Sequence, residues 1–404
     1  MSAIITPVPE VPTPSTLSDF RPISVTPILS RVIEKCVVTR WLRPAIPSDL
    51  LADQFALRST GSTTCALVYF MHHVTNMLEH NAYVRCLLVD FSKAFDRVDH
   101  LILVSKLSEL QISPFILNWL ISFLTSRSHT TRCFGVESCS RPINLSIVQG
   151  SVLGPTFYIL LEGDLKPISS NNIIFKYADD TNLLVPEHTD VQLADEFEAI
   201  RTWASDNKMV INISKTKEIV FRRPNPRLDV YLPTLPHIER VAEAKLLGVV
   251  FSSTLHFDAH VNFVLKVCNQ RSYLLRKFRD QGLSSAQLNI VFDAIILSRI
   301  MYASQSWSGF VSSELAGRID SYFRRMFRYG LCQNLYSFCE LADFRDLTLF
   351  NEIRHPYNCI HCLLPSEKSL ATLLRPRGHN FLLPRSKTNL HKHSFVTRCL
   401  YKLV

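Results

Sequence analysis

The sequence predicts an α+β fold, with mixed strand and helix up to about residue 255 and helix thereafter. Three observations carry this. Two apolar, β-branched runs, residues 84–89 and 173–177, each lead directly to aspartate. A helical period follows the second, with Leu193, Phe197, Ile200 and Ala204 on one face. From 260 to 329 the pattern is helical and basic, with Lys266, Arg271, Arg276, Lys277 and Arg279 close together.

In chain order, Pro7, Pro9, Pro12 and Pro14 make residues 1–20 an extended lead-in. Helical patterning begins near Ser24 and continues through Ile28, Val32, Ile33 and Val37. The run 84–89 has the length and branching of a buried strand, and it stops at Asp90 before a turn into helix over 91–96. Residues 173–177, then Ala178-Asp179-Asp180, then 181–185 read as a hairpin with two acids at its tip. Thr189 and Gln192 have capping-box spacing ahead of the 193–204 helix. Further strands are expected at 218–221 and 246–251. No repeat of 20–50 residues is visible, which excludes a solenoid.

Composition narrows the classes. The 404 residues are 47% apolar and 20% charged, ordinary globular usage that excludes wholesale disorder. The eleven glycines show no period, so a collagen-like chain is excluded. The N-terminus has no basic and then apolar signal-peptide pattern. The most apolar stretches, such as 115–124, fall short of the roughly 20 residues a spanning helix needs, so an intracellular protein with no membrane partner is expected. Eleven cysteines in such a setting read mainly as reduced, buried thiols. Cys359 and Cys362 have zinc spacing, but no second half accompanies them. Of the +9 net charge, +7 lies in 363–404, where eight basic residues face only Glu367. That tail is expected either to contact phosphates or to stand solvated.

Asp90, Asp179 and Asp180 are the residues with chemistry. Side chains alternate along a strand, but at a hairpin tip adjacent aspartates can face one region, where a strand-terminal acid can join them. Three carboxylates at the ends of neighbouring strands suit Mg²⁺, a hard ion that keeps waters and takes substrate phosphates. Two such ions would serve phosphoryl transfer. The competing reading is plain turn chemistry, since aspartate favours turns.

Longer strings decide between these. Tyr177-Ala178-Asp179-Asp180 resembles the signature turn of reverse transcriptases, and 89–96, Val-Asp-Phe-Ser-Lys-Ala-Phe-Asp, resembles their first catalytic motif as written in non-LTR, LINE-type retrotransposons. Residues 149–155, Gln-Gly-Ser-Val-Leu-Gly-Pro, are similar to the family's nucleotide-pocket motif. Arg21-Pro22-Ile23-Ser24 and the stretch 54–63 resemble its fingers motifs, and 212–217 and 247–249 its later palm and primer-grip motifs. The order matches over roughly residues 4–255, with the jockey and CR1 groups nearest in wording.

The resemblance implies a right-hand polymerase with an RRM-like palm built on an antiparallel sheet. Its parts would be a lead-in (1–20), fingers and palm (21–255), a helical thumb (256–345) and a basic C-terminal segment (346–404). It implies an RNA-directed DNA polymerase that extends a primer 3′-hydroxyl with dNTPs, with RNA as template, DNA as primer or target, and Mg²⁺ or Mn²⁺ as cofactor. The nucleus is the expected place of action on target DNA, and the cytoplasm otherwise. Asp90, Asp179 and Asp180 would be the catalytic metal acids, with the Phe91 main-chain oxygen as a further ligand. Phe95 would block a ribose 2′-hydroxyl. Gln149 and Gly150 would line the incoming sugar, Arg21 would meet the triphosphate, and Lys215 is a candidate proton donor to pyrophosphate. Four places depart from the pattern. Ala56 stands for Gly, Val148 for Pro, Gly163 for Asn and Glu10 near a usual Lys. The alternatives are a catalytically weakened or inactive RNA-binding protein of the same fold from a degenerate element copy, or a group II intron maturase-like protein.

Overall fold

The computed structural model describes residues 2–9, 11–24, 26–125, 127–224, 232–368 and 378–403. Glu10, and Arg375 and Arg377 of the tail, lie outside the described residues. The chain forms two compact units, each assembled from separated segments. The first holds Met1–Leu57, Leu88–Leu183 and Val191–Thr216, and the second Arg58–Leu87, Leu184–Asp190 and Lys217–Val404.

In chain order the strands are β1 (Ser2–Pro9), β2 (Phe20–Ser24), β3 (Tyr83–Val89), β4 (Arg127–Cys133), β5 (Val136–Glu137), β6 (Arg141–Ile143), β7 (Ile173–Tyr177), β8 (Asp180–Pro186), β9 (Lys217–Arg222), β10 (Glu239–Val241), β11 (Glu243–Leu246) and β12 (Val249–Ser252). In the first unit one sheet has the order β2-β1-β4-β5, with β6 also on β4. The proline-rich lead-in is therefore extended as expected, but it is a paired strand. Its prolines fit because β1 changes partners along its length. Ser2–Ile5 pair parallel with β4 and Ile5–Pro9 pair antiparallel with β2, so Thr6–Pro9 have β2 as their strand partner. Pro7 and Pro9 thus sit where one flank of the strand needs no N–H donor.

A second sheet runs β10-β9-β3-β8-β7. Val84, Cys86 and Leu87 of β3 have no exposed surface, which explains its unbroken apolar run. The expectation of an antiparallel sheet needs correction at its edge, where β9 and β10 pair parallel. Residues 223–238 give the crossover length that a parallel pair requires.

The first unit packs the helices His100–Ser108, Pro114–Leu124, Leu153–Glu162 and Leu193–Asp206 around Phe55, Val98, Leu103, Phe157 and Phe175. Two local readings shift. The first helix starts at Ile28, behind Pro27, and not near Ser24, which ends β2. The 193–206 helix has Gln192 as its N-cap, so the capping box expected at Thr189 does not form its start. A true capping box opens Ser285–Phe292, between Ser284 and Gln287.

In the second unit, rings of Phe70, Phe221, Phe251 and Phe257 meet edge to face with centroids 5.1–5.7 Å apart. The strand expected over 246–251 is a hairpin instead. Leu247 and Gly248 take φ values of 45° and 87°, which fold β12 back on β11. By length and composition the run Ser285–Phe310 could cross a membrane, unlike the shorter stretches weighed above. Here Leu288, Phe292, Ile296, Ile300 and Trp307 from it are buried in the core, and left-handed Ala303 (φ 49°) breaks the helix.

The described part of the basic tail packs into this unit and still exposes several of its basic residues. Phe381, Phe395, Val396 and Leu400 are buried. Arg398 reaches both carboxylate oxygens of Asp346, at 2.7 and 2.8 Å, and Lys402 pairs with Asp343. Lys368, Arg385, Lys387 and Lys392 remain exposed. Six of the eleven free cysteines are buried, and the Cys359 thiol donates to the Thr60 carbonyl at 3.4 Å.

Burial also holds several histidines neutral. His72 is lowered to about 3 and His73 to about 4, each first by desolvation and then by neighbouring imidazoles. The unfolded chain takes up these protons below pH ~6.5, so the native state loses stability as pH falls through that value. We expect His72→Phe to melt higher relative to wild type at pH 5 than at pH 7.5. A pH-independent difference in melting temperature would contradict this.

Candidate active site

Asp90 leaves the end of β3 with its main chain pinned on both sides. Its carbonyl accepts from the Asn212 N–H at 2.7 Å, its N–H donates to Thr216 Oγ1 at 3.3 Å, and the Ser92 N–H donates to Val210 O at 2.8 Å. Lys93 then takes a left-handed φ of 50° and turns the chain into a 3-10 helix, Ala94–Arg97. That reversal is what brings Phe95 and Asp96 back beside Asp90. The Phe95 ring stacks on Tyr158, 4.7 Å between centroids and 24° from parallel. Phe91 is buried, its ring edge-on to Trp203.

The loop ahead of the Leu153–Glu162 helix forms a second wall. Gln149 donates from Nε2 to Asp96 at 2.8 Å and accepts at its carbonyl from the Ser24 N–H at 2.8 Å. Gly150 has φ 112°, and a β-carbon there would fall on the Ser24 carbonyl oxygen. Only glycine lets the two backbones approach so closely. The buried Glu34 carboxylate accepts from the Val152 N–H at 2.7 Å, placing negative charge at the start of that helix.

Asp179 and Asp180 sit on the β7–β8 turn, with Ala178 left-handed at φ 54°. A cavity of about 640 Å³ opens beside them. Its lining includes Arg21, Asp90, Phe91, Phe95, Gln149, Gly150, Asp179 and Lys215, drawn from five separated stretches of chain. Of the residues singled out in the sequence, Asp180 alone is not on that wall, although it is electrostatically linked to it. The Asp180 carboxyl is pushed up to about 6, first by the protein mass around it and then by the charges of Asp179 and Asp90. Asp179 is also raised, by burial and by Asp90, against the opposing charge of Arg21. Arg21 and Lys215 stand exposed at the rim.

Among the described residues, no three Asp, Glu, His or Cys side chains converge closely enough to enclose an ion. The donor set nonetheless suits Mg²⁺. It offers hard, mutually repelling oxygens beside an open cavity, and Mg²⁺ binds through one or two carboxylates while keeping waters and substrate oxygens.

Four residues beyond those singled out matter to the geometry. Asn212 pins Asp90, Asp96 holds Gln149, Tyr158 backs Phe95, and Glu162 lies fully buried under the turn. Thr181 donates to Glu162, and Lys176 Nζ donates to the Glu162 and Leu165 carbonyls at 2.8 and 2.6 Å. Burial raises Glu162 to about 7 and lowers Lys176. Asp96 and Asn212 were visible in the motif strings, but which group each meets was not.

Residues 11–251 match the family described as reverse transcriptase (RNA-dependent DNA polymerase). A probable RNA-directed DNA polymerase from transposon X-element of Drosophila melanogaster is 26% identical, over 94% of this chain and 43% of its own. The RNA-directed DNA polymerase from mobile element jockey of Drosophila funebris is 27% identical, over 72% of this chain and 33% of its own. The chain spans less than half the length of these curated relatives. A solved telomerase chain from Candida tropicalis aligns over 89% of this chain and 58% of its own, at 11% identity and a TM-score of 0.46, too loose a likeness to argue from.

The close approach at Gly150 should be sensitive to a single methyl group. Gly150→Ala must strain φ and push the Ser24 strand away, so we expect a loss of about 2 kcal/mol or more in urea unfolding. An unchanged midpoint would show that the two backbones are free to part.

Proposed function

The chain belongs to the reverse transcriptase (RNA-dependent DNA polymerase) family, and from that premise we propose that it extends a primer 3′-hydroxyl with deoxynucleotides, copying an RNA template as a non-LTR retrotransposon polymerase does. The observation that supports this most is the convergence of Asp90, Asp179, Phe95, Gln149, Gly150 and Arg21 on one cavity. Its volume, about 640 Å³, is within the ~300–1,000 Å³ of small-molecule sites.

In this reading Asp90, Asp179 and Asp180 hold divalent cations, Mg²⁺ or Mn²⁺, with the Phe91 carbonyl as an added donor. When bound, such ions stabilise charge on the attacking and leaving oxygens of phosphoryl transfer. The chain's own residues do the positioning. Arg21 offers a planar fork to the triphosphate. Gly150 lets the backbone approach the nucleotide, and Gln149, tied to Asp96, is oriented to meet its sugar. Phe95, backed by Tyr158, presents a fixed ring edge where a 2′-hydroxyl would project. Lys215 at the rim is positioned as a proton donor to the leaving pyrophosphate. Most of the barrier reduction comes from such positioning and charge stabilisation.

Residues 21–255 act as fingers and palm, 256–345 as thumb and 346–404 as the C-terminal segment. The template is RNA and the primer or target is DNA. Action on that target places the protein in the nucleus, with the cytoplasm as its location otherwise. Of the departures from the family pattern, Val148 lines the cavity, whereas Ala56 is buried and passes the left-handed backbone to Leu57 (φ 60°).

Two substitutions test the assignment in primer extension on an RNA template. Asp90→Ala or Asp179→Ala should abolish extension without lowering the melting temperature, because each removes a repelling carboxylate. A variant that keeps more than about a hundredth of the wild-type rate would overturn the metal role. Phe95→Ala should raise incorporation of ribonucleotides relative to deoxynucleotides while leaving the metal acids in place. An unchanged ratio of rNTP to dNTP efficiency would return Phe95 to a packing role against Tyr158.

A further inference from the structure

The acid-bearing turn is held from beneath by one amide side chain. Gln54 is only 2% exposed. Its Oε1 accepts from the Ala178 N–H at 2.9 Å, and its Nε2 donates to the Ala178 carbonyl at 3.3 Å. The same Oε1 accepts from the Ala56 N–H at 2.9 Å, which locks the amide in that orientation. The main chain on either side is also tied to the hairpin. Lys176 N–H donates to Asp53 O at 2.7 Å, and Phe55 N–H donates to Lys176 O at 2.9 Å. Asp53 is itself anchored by Lys166 at 2.9 Å and by buried Lys176 at 3.4 Å.

Ala178 needs this hold. It occupies the left-handed region, φ 54°, which a residue with a β-carbon adopts at a cost, and alanine has no polar side chain to stabilise the turn locally. The next residue, Asp179, shares its cavity wall with Asp90, so two carboxylates face one space. A turn bearing repelling carboxylates relaxes away from them unless something outside it resists. The carbonyl that Gln54 grips belongs to the peptide leading into Asp179, so the grip sets the direction in which Asp179 leaves the turn. Only an amide offers a donor and an acceptor side by side to match one residue's N–H and C=O.

We infer that Gln54 is a positioning residue that fixes Asp179 relative to Asp90 through this two-point grip on Ala178. Its functional consequence rests on the polymerase reading above, whereas the grip itself does not.

The test compares wild type with Gln54→Met, which keeps the shape and loses both hydrogen bonds, and Gln54→Glu, which keeps the acceptor and loses the donor. In Gln54→Met, the Ala178 amide should exchange with deuterium at least about tenfold faster. Mn²⁺, titrated by electron paramagnetic resonance, should bind about tenfold more weakly, with kcat for primer extension falling about 10–100-fold and KM for primer–template unchanged. Gln54→Glu should lie between. A Gln54→Met protein with wild-type exchange at Ala178 would overturn the grip. Faster exchange with unchanged Mn²⁺ affinity and kcat would overturn the positioning role and leave only packing. If Gln54→Met does not fold, Gln54→Glu decides on the same readouts, and equality with wild type in all of them overturns the proposal. A wild-type chain that extends no primer would remove the polymerase reading, while exchange and Mn²⁺ binding would still decide Gln54.

Discussion

Like-charge repulsion among three carboxylates is the constraint around which the first unit is arranged. Asp90 comes from the end of β3, and Asp179 and Asp180 from the turn that enters β8, the strand beside it. The Asp179 and Asp180 carboxyls are raised first by burial and only then by the charge of neighbouring aspartates. Stability alone would disfavour that arrangement, so the local scaffold has to enforce it. The 210–216 segment pins the main chain of Asp90, Gln54 grips the turn, and Glu162 with Lys176 and Thr181 fills the space beneath it. Gln54, Glu162, Lys176 and Thr181 are polar and buried, and hydrogen bonding offsets their desolvation.

The wall facing the acids is organised by backbone approach. Gly150 lies against Ser24, and Gln149 is bonded both to that strand and to Asp96. The pocket loop, the β2 strand and the turn after Asp90 therefore move as one piece. A substrate entering there meets preorganised groups, so little of its binding energy is spent on ordering the protein. The second unit is stabilised differently, by an aromatic core, neutral buried histidines and the Arg398–Asp346 pair that ties down its C-terminal helix.

The readings that shifted share a physical cause. Charge counting could not tell which basic residues of the tail are paired, and Arg398 and Lys402 face Asp346 and Asp343, which lie more than fifty residues earlier in the chain. Proline counting marked 1–20 as a lead-in, but β1 has a strand on one flank only beyond Ile5, so prolines there are tolerated. The apolar run at 246–251 looked like one strand because Leu247 is apolar, and nothing local announces its left-handed φ. In the first two cases a partner elsewhere in the chain overrode a correct local preference, and in the third a left-handed turn did.

The strings around Asp90, Gln149 and Asp179 are local in the chain, and so were legible in it. A buried strand that stops at an acid, a hairpin tipped with two acids and a glycine at a tight turn each follow from side-chain alternation and allowed φ values. Seven of the nine candidate site residues came from those strings, and Arg21 and Lys215 from the stretches 21–24 and 212–217. What the sequence could not determine was which side chains hold these groups in place. Gln54 reaches Ala178, Tyr158 backs Phe95, Asp96 orients Gln149 and Glu34 caps the pocket helix across long stretches of chain. Such pairings depend on the register of strands and the packing of helices around one core, and only the folded chain sets those.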